Sequence, residues 1–227
     1  MQPLISVVLP VHNTEKYLPE SLASIFAQTY KTIEIICIDD GSTDNTPEIL
    51  KSYGDKIKII TNNQQSGIAY SRNRGIEIAQ GEFVAFMDAD DIAKPERFEK
   101  QIELLLKKPN LDICFTMLEC FVSPELPDEI KSLRQCPRGP QPGIVSPTAL
   151  IRSSVFAKVG LLDEKLRVGE FVDWMARATN LGLHHESVPD TLLLRRIHDT
   201  NVGVTQRDSR GDYLKVVKAA LARKRAQ

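Results

Sequence analysis

Residues 83–91 read Phe83-Val84-Ala85-Phe86-Met87-Asp88-Ala89-Asp90-Asp91, an apolar run of strand length that ends in three carboxylates. Its valine and phenylalanines favour a buried β-strand over a helix. The carboxylates therefore follow a core strand, at the edge of an α/β sheet where ligands bind. Because neighbouring carboxylates repel one another, a divalent cation such as Mg²⁺ or Mn²⁺ is a suitable partner for them. The alternative is that the acids only favour the start of the next helix.

The composition is that of a soluble globular protein with room for one core. The chain has 227 residues, of which 42% are hydrophobic and 26% are charged. A formal net charge of -1 gives no reason to expect nucleic acid or an anionic membrane as a partner. No apolar run approaches the roughly 20 residues of a transmembrane helix, and Met1-Gln2-Pro3 begins no signal peptide, so we expect a cytoplasmic protein. The cysteines lack CxxC spacing, which favours reduced thiols over a zinc site; they are Cys37, Cys114, Cys120 and Cys136.

Strands and helices alternate through the first half of the chain. Apolar, β-branched runs predict strands over 4–9, 33–38, 57–61, 83–87 and 113–122. Helical spacing predicts one helix with Leu18, Leu22, Ile25 and Phe26 on its apolar face, and another from Pro95 to Lys107 that buries Phe98, Ile102, Leu105 and Leu106. Two more helices are expected, one opened by Thr46 as N-cap and one after Gly67. This alternation indicates βαβ units and a mostly parallel sheet with flanking helices.

Polar side chains follow three of the predicted strands. His12 and Asn13 follow the first strand, and Asp39 and Asp40 follow the second. Together with the acids of 88–91 they should line one crevice. Arg72, in the helix after Gly67, lies on the same side and could reach a phosphate, the alternative being a solvated helix face.

Breaker residues divide the chain after the fifth strand. Prolines and glycines are dense over 123–143, which predicts no packed element there but a flexible loop, either disordered or a lid. This loop separates a first half, 1–122, from a second half, 144–210. In the second half we expect strands over 144–151 and 192–197 and helices over 153–159 and 170–181, and the chain should end in a helix over 211–227.

Two nucleotide-binding motifs are missing from the sequence. No GxGxxG follows the first strand, which argues against a dinucleotide-binding Rossmann site. No GxxxxGK[ST] occurs, which argues against a P-loop nucleotidase.

Four motifs, in order and spacing, resemble those of the family 2 glycosyltransferases, which have the GT-A fold. They are Val7-Val8-Leu9-Pro10-Val11-His12-Asn13, Ile38-Asp39-Asp40-Gly41-Ser42-Thr43-Asp44, Gly67-Ile68-Ala69-Tyr70-Ser71-Arg72-Asn73-Arg74-Gly75 and Met87-Asp88-Ala89-Asp90-Asp91. The resemblance implies a single GT-A-like α/β domain with a nucleotide-sugar-binding half, 1–122, and an acceptor-binding half, 144–210. It implies metal-dependent, inverting transfer of a sugar from a nucleotide diphosphate donor, most commonly a UDP-sugar, to an acceptor hydroxyl.

The same resemblance implies roles for individual residues. Mn²⁺ or Mg²⁺ would be held by Asp88 and Asp90 of the DxD motif, with His198 as a further ligand or as a histidine satisfied by hydrogen bonds. The residues implied in nucleotide binding are Pro10, His12, Asn13, Asp39, Asp40, Arg72, Asp88 and Ala89.

The catalytic base is where this chain departs from the family pattern. Many relatives carry Glu-Asp at the start of the acceptor helix, but here Phe171 follows Glu170. Glu170 and Asp173 are three residues apart, on one helix face, and either could deprotonate the acceptor. We favour Asp173 as base, because burial could raise its pKa, with Glu170 positioning the acceptor. Alternatively, both acids only stabilise the helix N-terminus.

Two other functions remain open at the level of sequence. A sugar-1-phosphate nucleotidylyltransferase would also use a parallel sheet, but it normally has a Gly-rich, basic loop after the first strand, where this chain has Val11-His12-Asn13-Thr14-Glu15. A catalytically silent sugar-nucleotide-binding module is consistent with Phe171 at the expected base position.

Overall fold

The computed structural model describes residues 2–133, 136–201, 211–212 and 216. Within these residues the strands are β1 (Ile5–Val11), β2 (Ile33–Asp39), β3 (Lys58–Thr61), β4 (Phe83–Phe86), β5 (Ile92–Ala93), β6 (Ile113–Val122), β7 (Leu150–Arg152) and β8 (His185–Ile197). The helices are α1 (Leu18–Phe26), α2 (Thr46–Ser52), α3 (Ile68–Ile78), α4 (Arg97–Lys107), α5 (Asp128–Leu133), α6 (Ser154–Val159) and α7 (Glu170–Asn180).

The described strands form one eight-stranded sheet in the order β3-β2-β1-β4-β7-β6-β8-β5. Strands β3, β2, β1 and β4 pair in parallel, and so do β6 and β8. The short strands β7 and β5 are antiparallel to their neighbours. The predicted mostly parallel sheet is confirmed. Since β2, β1 and β4 are adjacent, the polar turns that follow them meet at one edge.

Apolar layers cover both faces of the sheet, which explains why its central strands are apolar without interruption. On β1, Val7 and Leu9 face one layer while Val8 faces the other. The first layer contains side chains of α1, α2 and α4, namely Leu18, Leu22, Ile25, Leu50, Phe98, Ile102 and Leu105. The second contains side chains of α3, α6 and α7, namely Ala69, Val155, Phe156, Val159, Phe171, Trp174, Met175 and Ala178.

A glycine brings α3 close to the sheet. A Cβ atom on Gly75 would lie 2.4 Å from Cγ1 of Val8 and 2.9 Å from Cδ1 of Ile38. These distances are far below van der Waals contact, so the helix can approach β1 this closely only with glycine here. The approach sets the position of Arg72, one turn earlier on α3.

Some sequence predictions are corrected by the packing. Phe26 and Leu106, expected in the core, are 37% and 53% exposed because they lie on the outer sides of α1 and α4. Thr46 is the first residue of α2 and not its N-cap, and its Oγ1 accepts a hydrogen bond from the Thr14 backbone N–H. The strand expected over 144–151 is shortened to β7, because Pro147 lies in a 3₁₀ turn, Ser146–Thr148.

Residues 123–143 contain more structure than the breaker-rich sequence predicts. Helix α5 forms after Pro127, whose carbonyl accepts hydrogen bonds from the backbone N–H groups of Ile130 and Lys131. Gln141 exchanges two backbone hydrogen bonds with Leu118 of β6. The prediction of no packed element here is therefore wrong, while the predicted mobility stays a prediction. The helix predicted over 211–227 lies outside the described residues, apart from Gly211, Asp212 and Val216, which are helical.

All four cysteines are free thiols, as the sequence predicts. Burial raises the pKa of Cys37 and of Cys114 to about 12, so these two are core residues. Among the described helices, none has both the length and the apolar character required to cross a lipid bilayer.

Candidate functional site

The carboxyl ends of adjacent parallel strands bring the predicted site residues together. His12 and Asn13 follow β1, Asp40 follows β2, and the acidic turn 88–91 follows β4. In the strand register, Val11 lies opposite Asp39 and Val8 lies opposite Phe86. The three turns therefore begin at similar levels along the strand direction. β8 ends at the same edge and delivers His198. The polar turns that the sequence places at one edge of the sheet therefore do lie at the same edge.

The acidic turn has a donor set that fits a divalent cation. Carboxylate oxygens of Asp88, Asp90 and Asp91 lie within 4.8 Å of one another. Burial raises the pKa of Asp88, and burial together with the charges of Asp90 and Asp88 raises the pKa of Asp91 well above its ordinary value. Oδ2 of Asp91 is buried and has no hydrogen-bond partner among the described residues. Such a cluster of hard oxygen ligands is stabilised by an ion such as Mg²⁺ or Mn²⁺.

His198 lies against the acidic turn. Its Nε2 is 2.9 Å from Oδ2 of Asp90, and the backbone N–H of Thr200 donates to its Nδ1 at 3.3 Å. Nδ1 therefore acts as an acceptor, which leaves Nε2 to donate to Asp90. Asn201 donates a second hydrogen bond to the same carboxylate oxygen, at 3.2 Å. The histidine is thus in reach of the acids, as the sequence predicts, and it is also satisfied by hydrogen bonds.

Arg72 is buried between two carboxylates. Its Nη1 donates to Oε1 of Glu170 at 2.6 Å and its Nη2 donates to Oδ1 of Asp88 at 2.8 Å. The guanidinium also lies over the ring of Phe86, at 5.4 Å, and the residue is 1% exposed. The alternative of a solvated helix face is therefore wrong for Arg72. It links the start of α7 to the acidic turn, and its Nε has no hydrogen-bond partner among the described residues.

The turn after β2 is held by the carboxylate of Asp40. Oδ1 accepts hydrogen bonds from Asn62 Nδ2 at 2.7 Å and from the Ser66 N–H at 2.9 Å, and Oδ2 accepts one from the Gly67 N–H at 2.8 Å. Asp40 is 5% exposed. Its carboxylate therefore shapes the loop that leads into α3, where Gly67 has a φ of 98°.

The turn after β1 is tied to the turn after β2. Asn13, with a φ of 50°, accepts a hydrogen bond from the Thr43 N–H through Oδ1, at 2.8 Å. Nδ1 of His12 is 2.8 Å from the Asp40 carbonyl oxygen. Oδ1 of Asp39 accepts a hydrogen bond from the Ser42 N–H at 3.0 Å. Together these bonds tie the two turns to one another. Two other predicted nucleotide-binding residues flank them, the half-buried Pro10 and the buried Ala89.

The two acids of α7 have different partners. Glu170 faces Arg72, whereas Oδ2 of Asp173 accepts a hydrogen bond from Nε of Arg177 at 2.9 Å. Arg177 also donates to the carbonyl oxygens of Val159 and Leu161. Asp173 therefore contributes to attaching α7 to the end of α6, while Glu170 points toward the acidic turn.

Phe171 is a core residue. Its ring is 6.3 Å from each of the rings of Phe86 and Phe115, edge to face, and it stacks on Trp174 at 5.8 Å. The position at which the family resemblance implies an acid is here filled by an aromatic side chain of the second apolar layer.

Three residues near the acids were not singled out by the sequence. The Tyr17 ring packs against the His198 ring at a tilt, Arg196 donates to the Asp90 carbonyl, and Asn62 donates to Asp40. Arg196 precedes His198 by two residues at the end of β8, and this proximity in sequence could have marked it as a residue near the acids. Tyr17 and Asn62 offered none, since their contacts depend on the packing of distant segments.

Residues 6–160 match the sequence model of the family described as glycosyl transferase family 2. The chain belongs to glycosyl transferase family 2. An uncharacterized glycosyltransferase of Rickettsia typhi is 35% identical to it over 221 residues, which cover 90% of this chain and 68% of the relative. Glycosyltransferase GlyG of Streptococcus pneumoniae is 40% identical over 111 residues, 48% of this chain and 37% of the relative. This family 2 chain is accordingly a transferase.

Solved structures share the fold of this family 2 glycosyltransferase. S. aureus TarS 1-349, solved in complex with UDP, superposes with a TM-score of 0.75 at 22% identity, over 96% of this chain and 64% of that chain. Mannosyltransferase PcManGT from Pyrobaculum calidifontis, solved with GDP-Man and Mn²⁺, has a TM-score of 0.72 at 17% identity, over 96% of this chain and 65% of that chain. The GT-A-like α/β fold expected from the sequence is confirmed.

Proposed function

We propose that this chain transfers a sugar from a nucleoside diphosphate donor, with UDP as the favoured nucleotide, to an acceptor hydroxyl with inversion at the anomeric carbon. The observation that carries the proposal is the acidic turn 88–91 at the carboxyl edge of the sheet, next to the turns that follow β1 and β2. The UDP complex of TarS and the GDP-Man and Mn²⁺ complex of PcManGT support a nucleotide-sugar donor. The donor half would be 1–122 and the acceptor half 144–210.

Mn²⁺ or Mg²⁺ would be held by Asp90 and Asp88, with His198 beside them. When bound, the ion supplies positive charge to the diphosphate leaving group. The residues around the acids keep this arrangement in place: Arg72 pairs with Asp88, and His198 and Asn201 donate to Asp90.

The nucleotide would lie against the turns after β1 and β2. Pro10, His12 and Asn13 would contact the base and ribose, together with Asp39, Asp40 and Ala89. Asp40 would act mainly through the shape of the 62–67 loop, because its carboxylate already accepts three hydrogen bonds. Arg72 would approach the diphosphate from beside Asp88.

The acceptor hydroxyl has to lose its proton as it attacks, which requires a carboxylate near the anomeric carbon. The sequence favoured Asp173 for this role and Glu170 for positioning. The contacts of α7 favour the reverse, because Glu170 reaches the acidic turn through Arg72 while Asp173 pairs with Arg177. We therefore propose Glu170 as the base and Asp173 as a residue that holds the acceptor helix.

A second candidate function is a catalytically silent sugar-nucleotide-binding module. It is supported by Phe171, which occupies the usual acid position with a buried ring. Nucleotide binding without transfer would distinguish such a module from an enzyme.

Calorimetry with UDP and Mn²⁺, followed by hydrolysis of a panel of nucleotide sugars, tests the proposal. The parent protein should bind UDP more tightly with Mn²⁺ than without it. Asp90→Asn should weaken the Mn²⁺-dependent binding by at least about ten-fold, since it removes a charged ligand. Asp55→Asn, an exposed change in the 3₁₀ turn Gly54–Lys56, is the matched control. Binding without hydrolysis or transfer supports the silent module, and no binding of any nucleotide contradicts both.

A further inference from the structure

Arg196 holds the backbone of the acidic turn from the end of β8. Its backbone N–H donates to Oδ1 of Asp91 at 3.0 Å, and its Nε donates to the carbonyl oxygen of Asp90 at 3.0 Å. The residue is 4% exposed. Two atoms of one arginine thus fix two consecutive residues of the turn. These contacts link positions that are more than 100 residues apart in the chain.

The two terminal nitrogens of the guanidinium have polar partners, and the group contacts two aromatic rings. Nη1 donates to Oγ of Ser123 at 3.3 Å, and Nη2 pairs with the carboxylate of Glu20 on α1. The group lies 4.9 Å over the ring of Tyr17 and 4.7 Å over the ring of Phe121. A planar cation with five N–H donors can make these contacts together, whereas a lysine ammonium cannot span them.

The same contacts reach the start of the 123–143 segment. Ser123 is buried, and its hydroxyl donates to Oε2 of Glu125 at 2.7 Å. Tyr17 donates to the other oxygen of Glu125, also at 2.7 Å, and Lys16 pairs with it at 2.9 Å. Although desolvation opposes the effect, hydrogen bonds from Tyr17, Ser123 and Lys16 lower the pKa of Glu125. Segment 123–125 is thereby fixed to the residues just before α1 and to β8.

Tyr17 connects Arg196 and segment 123–125 to His198, the histidine beside the acidic turn. Its ring contacts both the Arg196 guanidinium, at 4.9 Å, and the His198 ring, at 4.6 Å. The guanidinium, the phenol ring and the imidazole therefore form one chain of contacts, and Nε2 of His198 donates to Asp90. A shift of segment 123–125 would move these three groups and, with them, the donors that hold the acidic turn.

We propose that Arg196 is a positioning residue. It holds the 88–91 turn in the conformation that binds a cation and the donor diphosphate, and it couples that turn to segment 123–125. The inference rests on the proposed function, because it assumes that the acidic turn binds a cation with the donor. Arg196 is buried, and its guanidinium donates to the Asp90 carbonyl, Ser123 and Glu20, so it acts through the turn and not on the substrate. Removing such a positioning contact typically weakens metal affinity by about 10- to 100-fold.

The test compares Arg196→Gln and Arg196→Lys with Arg152→Gln. Arg152 is a suitable control because it also donates to two backbone carbonyls, those of Leu105 and Leu111, and lies 5.2 Å over the ring of Phe83. Mn²⁺ affinity is measured by electron paramagnetic resonance with UDP present, and thermal unfolding is followed by circular dichroism. We expect Arg196→Gln to bind Mn²⁺ at least ten-fold more weakly, and Arg152→Gln to unfold earlier while binding Mn²⁺ as the parent does.

A second measurement tests the coupling between the 88–91 turn and segment 123–125. Limited proteolysis of segment 123–143, with and without UDP and Mn²⁺, should show ligand protection in the parent and reduced protection in both Arg196 variants. If folded Arg196 variants bind Mn²⁺ as tightly as the parent, the inference is overturned. If Arg196→Gln does not fold, Arg196→Lys, which keeps the charge and the buried stem, decides in the same way. A parent protein that binds neither UDP nor Mn²⁺ rejects the proposed function itself.

Discussion

Glu170 and Arg72, 98 residues apart in sequence, form a buried ion pair with 2.6 Å between Oε1 and Nη1. Because the second terminal nitrogen of Arg72 donates to Asp88, this pair links α7 to the acidic turn. One cation thus offsets two carboxylates of the candidate site, one on α7 and one in the acidic turn. A ligand phosphate would compete with both carboxylates for the guanidinium, so binding there and the orientation of Glu170 should be linked.

Arg72→Met should lower both the stability and the UDP affinity of the protein. It leaves Glu170 and Asp88 without their cation, and breaking such a buried pair costs about 3–5 kcal/mol. Urea unfolding measures the stability and calorimetry measures UDP binding. Arg177→Met is the matched control, since it breaks the pair with Asp173 on the same helix without contact to the acidic turn. The control should lose stability and keep UDP affinity; loss of UDP affinity in both would argue against a specific role for Arg72.

Gly143→Ala should strongly destabilise the junction between the 123–143 segment and β6. A Cβ atom there would lie 2.3 Å from the carbonyl oxygen of Thr116 and 2.9 Å from Cγ2 of Thr148. Since backbone cannot move aside as a side-chain end can, we expect a loss of at least about 2 kcal/mol in the free energy of unfolding. Gly54→Ala meets no atom within 4 Å and has only a positive φ of 55° to disfavour it. Equal losses in the two variants would contradict the steric explanation.

Glu34 should contribute to the loss of folding stability that we expect as pH falls. Burial opposes ionisation of this carboxylate, but the hydrogen bonds from Lys58, Ser6 and the Gln80 N–H outweigh it and lower the pKa of Glu34. A lowered folded-state pKa stabilises the protein above the unfolded-state pKa, and this stability is lost as pH falls through the folded-state pKa. Glu34→Gln should therefore lower the free energy of unfolding at pH 7 and reduce its further fall between about pH 6 and pH 3. Glu77→Gln, an exposed change on α3, should leave the pH profile of the parent unchanged.

The positions of the polar turns were predictable because they depend on local pattern. An apolar run such as 83–87 marks a strand, and parallel pairing then brings Asp40 and Asp88 to one edge whatever the rest of the chain does. The prediction of β1, β2, β4 and β6 needed no other information. Burial near helix ends was less predictable: Phe26 and Leu106 lie on the outer sides of their helices, whereas their neighbours Ile25 and Leu105 are fully buried.

The partners of the charged side chains could not be predicted from sequence. Arg72 contacts Glu170, and Arg196 contacts Asp90, only because α7 and β8 return to the edge formed by the first half of the chain. The short strands β5 and β7 have two and three residues, too few for a periodic pattern. Spacing alone put Glu170 and Asp173 on one helix face, yet packing gives each a different partner.

The identity of the base can be decided by comparing Glu170→Gln with Asp173→Asn. If Glu170 is the base, Glu170→Gln should lower transfer by about 10²-fold or more while keeping UDP affinity, because glutamine retains a hydrogen-bond acceptor for Arg72 but cannot take a proton. Asp173→Asn should instead lower the free energy of unfolding by about 1–3 kcal/mol, since it weakens a buried bond to Arg177. Transfer kinetics, calorimetry with UDP and urea unfolding separate the two effects. A 10²-fold loss of transfer in a stable Asp173→Asn protein would restore the assignment that the sequence favoured. Normal transfer by both variants would place the base elsewhere and would remove the main support for an inverting mechanism that uses α7.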